Sequence, residues 1–156
     1  MREFNVKGDI VLLDDDIAEM ADRVGLRVIR PAARPDRPMV TFPMQQVSTA
    51  LMRPGKGRVV DHINGNTLDN RRDNLQVLSQ CANTMKRRMT EHPGVYVTDH
   101  GTFRVSVRRG HTVTVRDYDE ARRMADAYRR SLGIKGMPLN FPEVGEHYWD
   151  GRLRTE

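Results

Sequence analysis

Short apolar segments separated by polar turns make up the first third of the chain. Three of these segments predict strands, at residues 8–13, 26–30 and 39–42. Two helices are predicted between and after them, at residues 14–24 and 44–52, the first favoured by an acidic start that supplies an N-cap. We therefore interpret residues 1–57 as a small N-terminal α/β leader that packs on the segment that follows it.

From residue 58 the pattern changes to two strands that flank a long polar loop. Residues 58–63 and 75–78 predict the strands, and residues 64–74 are rich in Asn, Gly, Asp and Arg. Ser79 is a favourable N-cap for a helix over about residues 80–89. The expected unit is therefore strand, loop, strand and helix.

The predicted helix over residues 80–89 is amphipathic. Its core-facing stripe is formed by apolar positions at helical spacing, namely Leu78, Cys81, Ala82, Met85 and Met89. Its polar side carries Asn83, Lys86 and Arg87. We expect this polar side to face away from the hydrophobic core.

Residues 92–142 predict a second unit, built from three strands and one helix. The strands are expected at residues 95–98, 102–107 and 111–116. A three-residue loop, Arg108-Arg109-Gly110, would join the last two and pair residue 107 with 111 and residue 105 with 113. The helix begins near Asp117, with Glu120 completing a capping box, and ends at Gly133.

Side-chain alternation in this hairpin separates an apolar face from a polar one. The apolar face, expected to pack on the helix, carries Phe103, Val105, Val107, Val113 and Val115. The polar face, expected to stay open, carries Arg104, Ser106, Thr112, Thr114 and Arg116. The fold class is therefore α+β, with a small N-terminal α/β leader and a C-terminal unit of a three-stranded sheet plus a helix.

The net charge of the chain is positive and unevenly distributed. The 156 residues include 26 Lys and Arg against 21 Asp and Glu, and all but four of the basic residues are Arg. The net charge of +5 is distributed as +1 over residues 1–57, +2 over 58–91, +4 over 92–142 and −2 over 143–156. A polyanionic partner would therefore meet the two middle segments, while the acidic tail, residues 143–156, is expected to dock on the protein.

Several protein classes are disfavoured by composition. No apolar run reaches the roughly 18 residues of a membrane helix, and the N-terminus lacks the apolar stretch of a signal peptide. A single cysteine, Cys81, excludes an internal disulfide and a Cys-rich zinc ribbon. We expect a soluble cytoplasmic protein with no membrane partner.

Residues 61–75, DHINGNTLDNRRDNL, concentrate chemistry in the polar loop. Taken singly, each residue has a structural explanation, because Asn and Gly build turns, Asp69 can cap, and His62 can be an ordinary histidine. Taken together, a histidine next to an aspartate, a loop crowded with amides and a later Asn form an unusual combination, since a structural loop would tolerate many other residues.

This stretch resembles the HNH endonucleases of phages and mobile introns, a homing-endonuclease-like branch of the ββα-metal nucleases. The resemblance is carried by Asp61, His62, Asn64, Gly65, Asn66, Asp69, Asn70, Arg71, Asn74 and Leu75, with Asn83 in the following helix. The fold that it implies is two strands, a long loop and a crossing helix, which is also the pattern read from the residues.

The resemblance also implies roles for individual residues. His62 would be the general base, and Asp61 and Asn83 would hold a divalent cation, Mg²⁺ or another such as Mn²⁺. Asn74 would complete the catalytic set by pinning the loop and orienting His62. The family often has another Asn four residues after Asn83, where this chain has Arg87. We interpret Lys86 and Arg87 as phosphate contacts, with an ordinary solvated helix face as the alternative.

The C-terminal segment resembles the AP2-type DNA-binding domain. The residues that carry this likeness are Gly94-Val95-Tyr96, Gly101 to Val105, Ala121, Ala125, Tyr128 and Leu139-Asn140-Phe141-Pro142. Phe103 stands where that family usually has Trp. The resemblance implies that the sheet enters the major groove through the polar face defined above, with Arg108 and Arg109 at the hairpin tip clamping phosphates. A solvated face is the alternative.

The sequence therefore predicts four segments: the leader 1–57, a nuclease motif 58–91, an AP2-like module 92–142 and an acidic tail 143–156. Contact with DNA is the alternative to packing on the nuclease motif for the leader. The predicted function is a metal-dependent DNA endonuclease of a phage or bacterial host cell, nicking one strand of double-stranded DNA without a small-molecule cofactor. A monomer is expected, with a dimer as the alternative. The rival functions are a catalytically silent DNA-binding regulator that uses the AP2-like module, and an RNA-binding module.

Overall fold

The computed structural model describes residues 1–87 and 91–156. It divides into two compact units, Met1–Asn83 and Thr84–Glu156. The described residues form small sheets and four α-helices, which is the mixed α/β composition that the sequence predicts. No helix within these described ranges is long and apolar enough to cross a membrane.

The first unit opens with a hairpin that the sequence pattern only half predicted. Strand β1 (Arg2–Val6) pairs antiparallel with β2 (Asp9–Leu13) across a turn in which Lys7 and Gly8 both have positive φ. Only β2 was predicted, because most side chains of β1 are exposed and give no apolar alternation. The elements after the hairpin match the prediction closely: α1 (Asp15–Val24), β3 (Arg27–Ile29), β4 (Met39–Thr41) and α2 (Val47–Met52).

The hydrophobic core of this unit lies in the leader. Its buried members are Val11, Leu13, Ile17, Ala18, Ala21, Val40 and Val47. One apolar side chain of the polar loop, Leu68, packs against this cluster. The loop is therefore anchored to the leader by hydrophobic contact.

The strand–loop–strand–helix unit is present as predicted. Strands β5 (Arg58–His62) and β6 (Leu75–Ser79) pair antiparallel, with Asp61 opposite Gln76 and His62 opposite Leu75. A short 3-10 turn precedes β6, and α3 (Gln80–Arg87) follows it. Strand β5 ends at His62, where a turn begins with a hydrogen bond from Gly65 N to His62 O.

The predicted core-facing stripe of α3 is wrong in part. Cys81 is exposed, whereas two residues of the predicted polar side, Asn83 and Lys86, are buried. Met89 lies outside the described residues. The buried side of α3 is therefore polar at these two positions.

The second unit has the predicted sheet and helix. Strands β7 (Val95–Val97), β8 (Phe103–Arg108) and β9 (His111–Val115) form one sheet in that order, and α4 (Tyr118–Ser131) packs on it around Val105, Ala121 and Ala125. The Asp117 side chain accepts a hydrogen bond from Glu120 N, as expected of a helix N-cap. The apolar face of the hairpin is therefore the one that meets the helix.

The hairpin loop differs from the prediction. Arg108 pairs with His111, and a β-bulge lies between Ser106 and Arg108, so the predicted pairing of residues 107 and 111 is wrong. The connection is the two residues Arg109 and Gly110, with Gly110 at φ +76°. The extra residue of the bulge is absorbed inside β8, and the predicted pair Val105 and Val113 is therefore preserved.

The C-terminal tail is attached to its own unit. Strand β10 (Pro138–Leu139) pairs in parallel with β11 (His147–Tyr148). Arg130 and Glu146 form an ion pair at 2.7 Å, and Arg154 donates to Pro142 O at 2.6 Å. The hydrogen bond from Arg130 holds the pKa of the Glu146 carboxyl below its ordinary value. The acidic tail thus contacts the rest of its own unit, and its Glu146 is paired with Arg130 of α4.

Candidate active site

Asp61 is held from the neighbouring strand. Gln76 lies directly opposite it, and Gln76 Nε2 donates a hydrogen bond to Asp61 Oδ2 at 2.9 Å. The bond ties one of the two carboxylate oxygens, Oδ2, to the neighbouring strand. Gln76 is a site residue that the motif did not single out, although the register of the two predicted strands already contains the pairing.

His62 ends β5 and is buried, with 8% of its surface exposed. Its Nε2 lies 3.4 Å from Oδ1 of Asn70. The amide nitrogen of Asn70 donates to Thr67 O, so the oxygen is the atom that faces the ring. Because an amide oxygen only accepts hydrogen bonds, this contact favours the tautomer with its proton on Nε2 and its lone pair on Nδ1.

The loop between the strands is tied by its own amide side chains. Asn74 Oδ1 accepts from Asn64 N at 3.0 Å, and Asn74 Nδ2 donates to Asp69 O at 2.9 Å. The backbone adds a bond from Ile63 N to Asn74 O at 2.8 Å. Asn74 thus bridges both ends of the loop, whereas the side chain next to the His62 ring is Asn70, to which the sequence interpretation gave no role.

Asp69 is the charged centre of the loop and is almost fully buried. Its two carboxylate oxygens accept from Arg71 Nε at 2.8 Å and Arg71 Nη2 at 2.6 Å, and Asn64 Nδ2 adds a third bond at 3.0 Å. Burial opposes the charged form, but the bonds from Arg71 and Asn64 outweigh it and lower the pKa of Asp69 below its ordinary value. The hydrogen bonds that hold Arg71 and Asn64 in the loop therefore favour an ionised Asp69.

Asn83 has a buried side-chain oxygen that makes no hydrogen bond. The residue is 3% exposed, and its Oδ1 is buried with no hydrogen-bond partner. A buried carbonyl oxygen without a partner costs free energy unless something binds it. A divalent cation that prefers oxygen ligands is a group that would satisfy it.

The predicted ligand set suits a hard cation. A carboxylate at Asp61 and an amide oxygen at Asn83 are ligands that Mg²⁺ and Mn²⁺ accept, with waters and substrate filling the other positions. Within residues 1–87 and 91–156, no three His, Cys, Asp or Glu side chains are grouped so as to hold a metal ion. The predicted ligand set therefore fits a site completed by substrate more closely than a closed structural site.

The predicted DNA contacts lie in the second unit. Most of those on the sheet are exposed: Arg104, Arg108, Arg109, Thr112, Thr114 and Arg116, with Ser106 partly buried. On α3, Arg87 is exposed and Lys86 is buried. The predicted catalytic and ligand residues, Asp61, His62, Asn74 and Asn83, all belong to the first unit.

The arrangement has the groups that a hydrolytic centre needs. It offers a histidine whose tautomer leaves Nδ1 with a lone pair, a carboxylate held by an amide, and a buried amide oxygen without a partner. A proton acceptor and hard oxygen ligands in one small unit are typical of metal-assisted hydrolysis of a charged ester.

Comparison with known proteins found a family match within this segment. Residues 53–85 match the model of an HNH endonuclease family. Neither the curated proteins nor the solved structures include a significant match to the chain. The matched segment covers β5, the loop, β6 and most of α3, and it supports a nuclease of the HNH type. Such nucleases act on DNA and generally use a divalent metal ion.

Proposed function

We propose that this protein is a metal-dependent endonuclease that cuts one strand of double-stranded DNA, with His62 as the general base. In this proposal Asp61 and Asn83 bind the divalent cation, Mg²⁺ or Mn²⁺. The observation that supports it most directly is the buried, unpartnered Oδ1 of Asn83 inside the segment that matches HNH endonucleases. Its likeness to phage and mobile-intron enzymes supports a cytoplasmic protein of a phage or bacterial host.

His62 performs the proton transfer. Its Nδ1 takes a proton from the attacking water, while Nε2–H stays directed at Asn70 Oδ1. That contact becomes more favourable as the ring gains positive charge, because an imidazolium N–H is the stronger donor. Asn70 therefore supports the ring during the step, and Asn74 keeps the loop closed around it.

Asp61 and Asn83 act by binding the cation next to the phosphate. A bound divalent cation supplies charge neutralisation at the phosphate and at the leaving 3′ oxygen. Asp61 would bind the cation through a carboxylate whose Oδ2 accepts from Gln76, and Asn83 would bind it through its buried Oδ1, which has no hydrogen-bond partner. One such site acts on one strand per binding event, so a monomer nicks, leaving a 5′ phosphate and a 3′ hydroxyl.

The second unit supplies DNA binding in this proposal. Its open sheet face exposes Arg104 and Arg116, and the two-residue turn carries Arg109 beside Arg108. Arginine forks read guanine or hold phosphates, and the neighbouring threonines can donate to either. The AP2-like resemblance supports major-groove entry of this face, and Lys86 and Arg87 stay predicted phosphate contacts.

The test is a nicking assay on supercoiled plasmid with Mg²⁺, Mn²⁺ or EDTA. The His62→Ala variant is expected to nick about 100- to 10,000-fold more slowly than the wild type. His100→Ala, at an exposed loop histidine, is the matched control and is expected to nick normally. Equal rates for His62→Ala and the wild type would refute the assigned base. Tight DNA binding without nicking in any metal would instead favour the regulator.

A further inference from the structure

We propose that a corner of the leader, residues 12–16, is a positioning element of the catalytic loop: it fixes Asn70, which in turn orients the imidazole of His62. The inference rests on the proposed function in that it gives the leader a part in the same reaction. It assigns positioning roles to Leu12, Asp14 and Asp16, none of which belongs to the motif.

The first tie is made by the backbone of β2. Leu12 N donates to Leu68 O at 2.9 Å, and Leu12 O accepts from Asn70 N at 2.9 Å. Together these bonds form a parallel bridge between Leu12 and Asp69. The loop backbone on both sides of Asp69 is thus an extension of the leader sheet, joined at the residue that precedes Leu13 of the core.

The second tie is an ion-pair clamp on Arg72. Asp14 Oδ2 accepts from Arg72 N at 3.0 Å and from Arg72 Nη1 at 3.2 Å. Asp16 accepts from Arg72 Nη1 at 2.9 Å and from Nη2 at 2.7 Å. The hydrogen bond from Arg72 lowers the pKa of Asp16 below its ordinary value.

Asp14 shows that this clamp is not a by-product of helix capping. It occupies the N-cap position of α1, yet its side chain makes no hydrogen bond to that helix. Its carboxylate accepts instead from the backbone and side chain of Arg72. The N-terminus of α1 therefore lacks a side-chain cap bond from Asp14, and the loop has a hydrogen bond to Asp14 instead.

Asn70 lies between the two ties. It is 1% exposed, and its side chain spans Thr67 O and the His62 ring. The separation of 3.4 Å between Asn70 Oδ1 and His62 Nε2 is near the outer limit of a hydrogen bond. A displacement of the loop by a few tenths of an ångström would break the contact, so the position of the loop backbone governs whether Asn70 favours the tautomer protonated on Nε2.

The competing explanation is that the leader acids are ordinary surface charges. An isolated exposed ion pair contributes little to stability, and removing two negative charges should strengthen DNA binding. Positioning predicts a different result, namely slower chemistry with DNA affinity unchanged or improved. The two explanations therefore differ in whether kcat falls.

The experiment compares two double variants of the full-length protein. Asp14→Ala/Asp16→Ala removes the clamp, and Asp15→Ala/Asp22→Ala removes the same charge from the same helix, where the partners are the Met1 amino group and Arg2. The clamp variant is expected to lose about tenfold in kcat without a rise in KM for DNA. The control is expected to stay within about twofold of the wild type. Equal kcat values in the two variants would overturn the proposal.

A second readout does not depend on cleavage. Isotope-edited NMR of the ring nitrogens in metal-free protein is expected to show His62 mainly protonated on Nε2 in the wild type and in the control. The clamp variant is expected to show a mixture of tautomers. Arg72→Gln, which removes the side-chain contacts from the loop side but keeps the bond from Arg72 N to Asp14, is expected to show the same change to a smaller extent. An unchanged tautomer in both would overturn the proposal. A wild type that holds the tautomer and never cuts DNA would overturn the proposed function alone.

Discussion

The segment that carries the candidate chemistry and the sheet–helix module of the second unit are stabilised in different ways. Within residues 58–83, the buried apolar side chains are Leu75 and Leu78, and polar groups outnumber them: His62, Asp69, Asn70, Asn74 and Asn83. In the module, Val105, Ala121 and Ala125 form a core with five partly buried apolar neighbours. The module thus holds its own core, whereas the nuclease segment uses the core of the leader.

That difference follows from what each kind of contact contributes. Burial of apolar surface drives folding, whereas a hydrogen bond exchanged for one to water contributes only about 1 kcal/mol net. An amide-rich loop gains geometric definition from its bonds but little stability. A site built in this way needs a hydrophobic neighbour, and Leu68 is the side chain through which the loop reaches one.

The largest expected effect comes from the leader core. Leu13 is fully buried, and Leu13→Ala is expected to lower the free energy of unfolding of the first unit by about 3 kcal/mol. Hydrogen exchange should then accelerate at the Asn70 amide, which bonds to Leu12. Val105→Ala, at an equally buried position of the module, is the matched variant and should leave that amide protected. Equal acceleration in both variants would contradict the division into two cores.

Asn83→Ala separates chemistry from stability. Nicking is expected to fall at least about 100-fold, equivalent to about 2.7 kcal/mol of transition-state stabilisation. The free energy of unfolding should change by less than about 1 kcal/mol, because Oδ1 has no partner to lose. Asn83→Asp, which keeps an oxygen, should restore part of the activity and of Mn²⁺ binding measured by electron paramagnetic resonance. A large loss of stability without loss of Mn²⁺ binding would make Asn83 a structural residue.

The pH dependence of stability tests Asp69. Its pKa is lower in the folded protein than in the unfolded chain, so its ionised form stabilises the fold above about pH 4 and this contribution disappears as the pH falls through the folded pKa. Asp69→Asn is therefore expected to be about 1–2 kcal/mol less stable than the wild type at pH 7. Urea denaturation over a pH series should show the difference shrinking in acid. If the difference in the free energy of unfolding stayed constant down to pH 3, the ionised carboxylate of Asp69 would not be its cause.

Local sequence patterns predicted most helices and strands of both units, because the signal for each element lies in residues that are close together in the sequence. Alternation around Val105 gave the sheet face, and the strands on either side of the polar loop gave β5 and β6 within a residue of their ends. The bulge in β8 was missed because Arg108 and Gly110 fit a longer loop equally well. The inward orientation of Asn83 was missed because amphipathic spacing assumes that polar residues face water.

Contacts between distant segments left no local signal. Leu12 lies in an ordinary half-buried strand, and Asp14 is a typical helix N-cap. Nothing near either residue in the sequence indicates that it binds Asn70 or Arg72. Gln76 is different, because the register of the two predicted strands already places it opposite Asp61. The candidate catalytic and ligand residues were therefore named from the motif alone. The contacts that hold them could be predicted only where strand pairing supplied the partner.

The 58-residue separation between Asp14 and Arg72 has a consequence for synthesis on the ribosome. At about 5–20 residues per second, Arg72 is added roughly 3 to 12 seconds after Asp14. A β-hairpin forms in about 1–10 μs, so β1 and β2 are paired long before the loop emerges. The strand that carries Leu12 is therefore available outside the ribosome before the loop, and we expect the loop to dock onto it as it emerges.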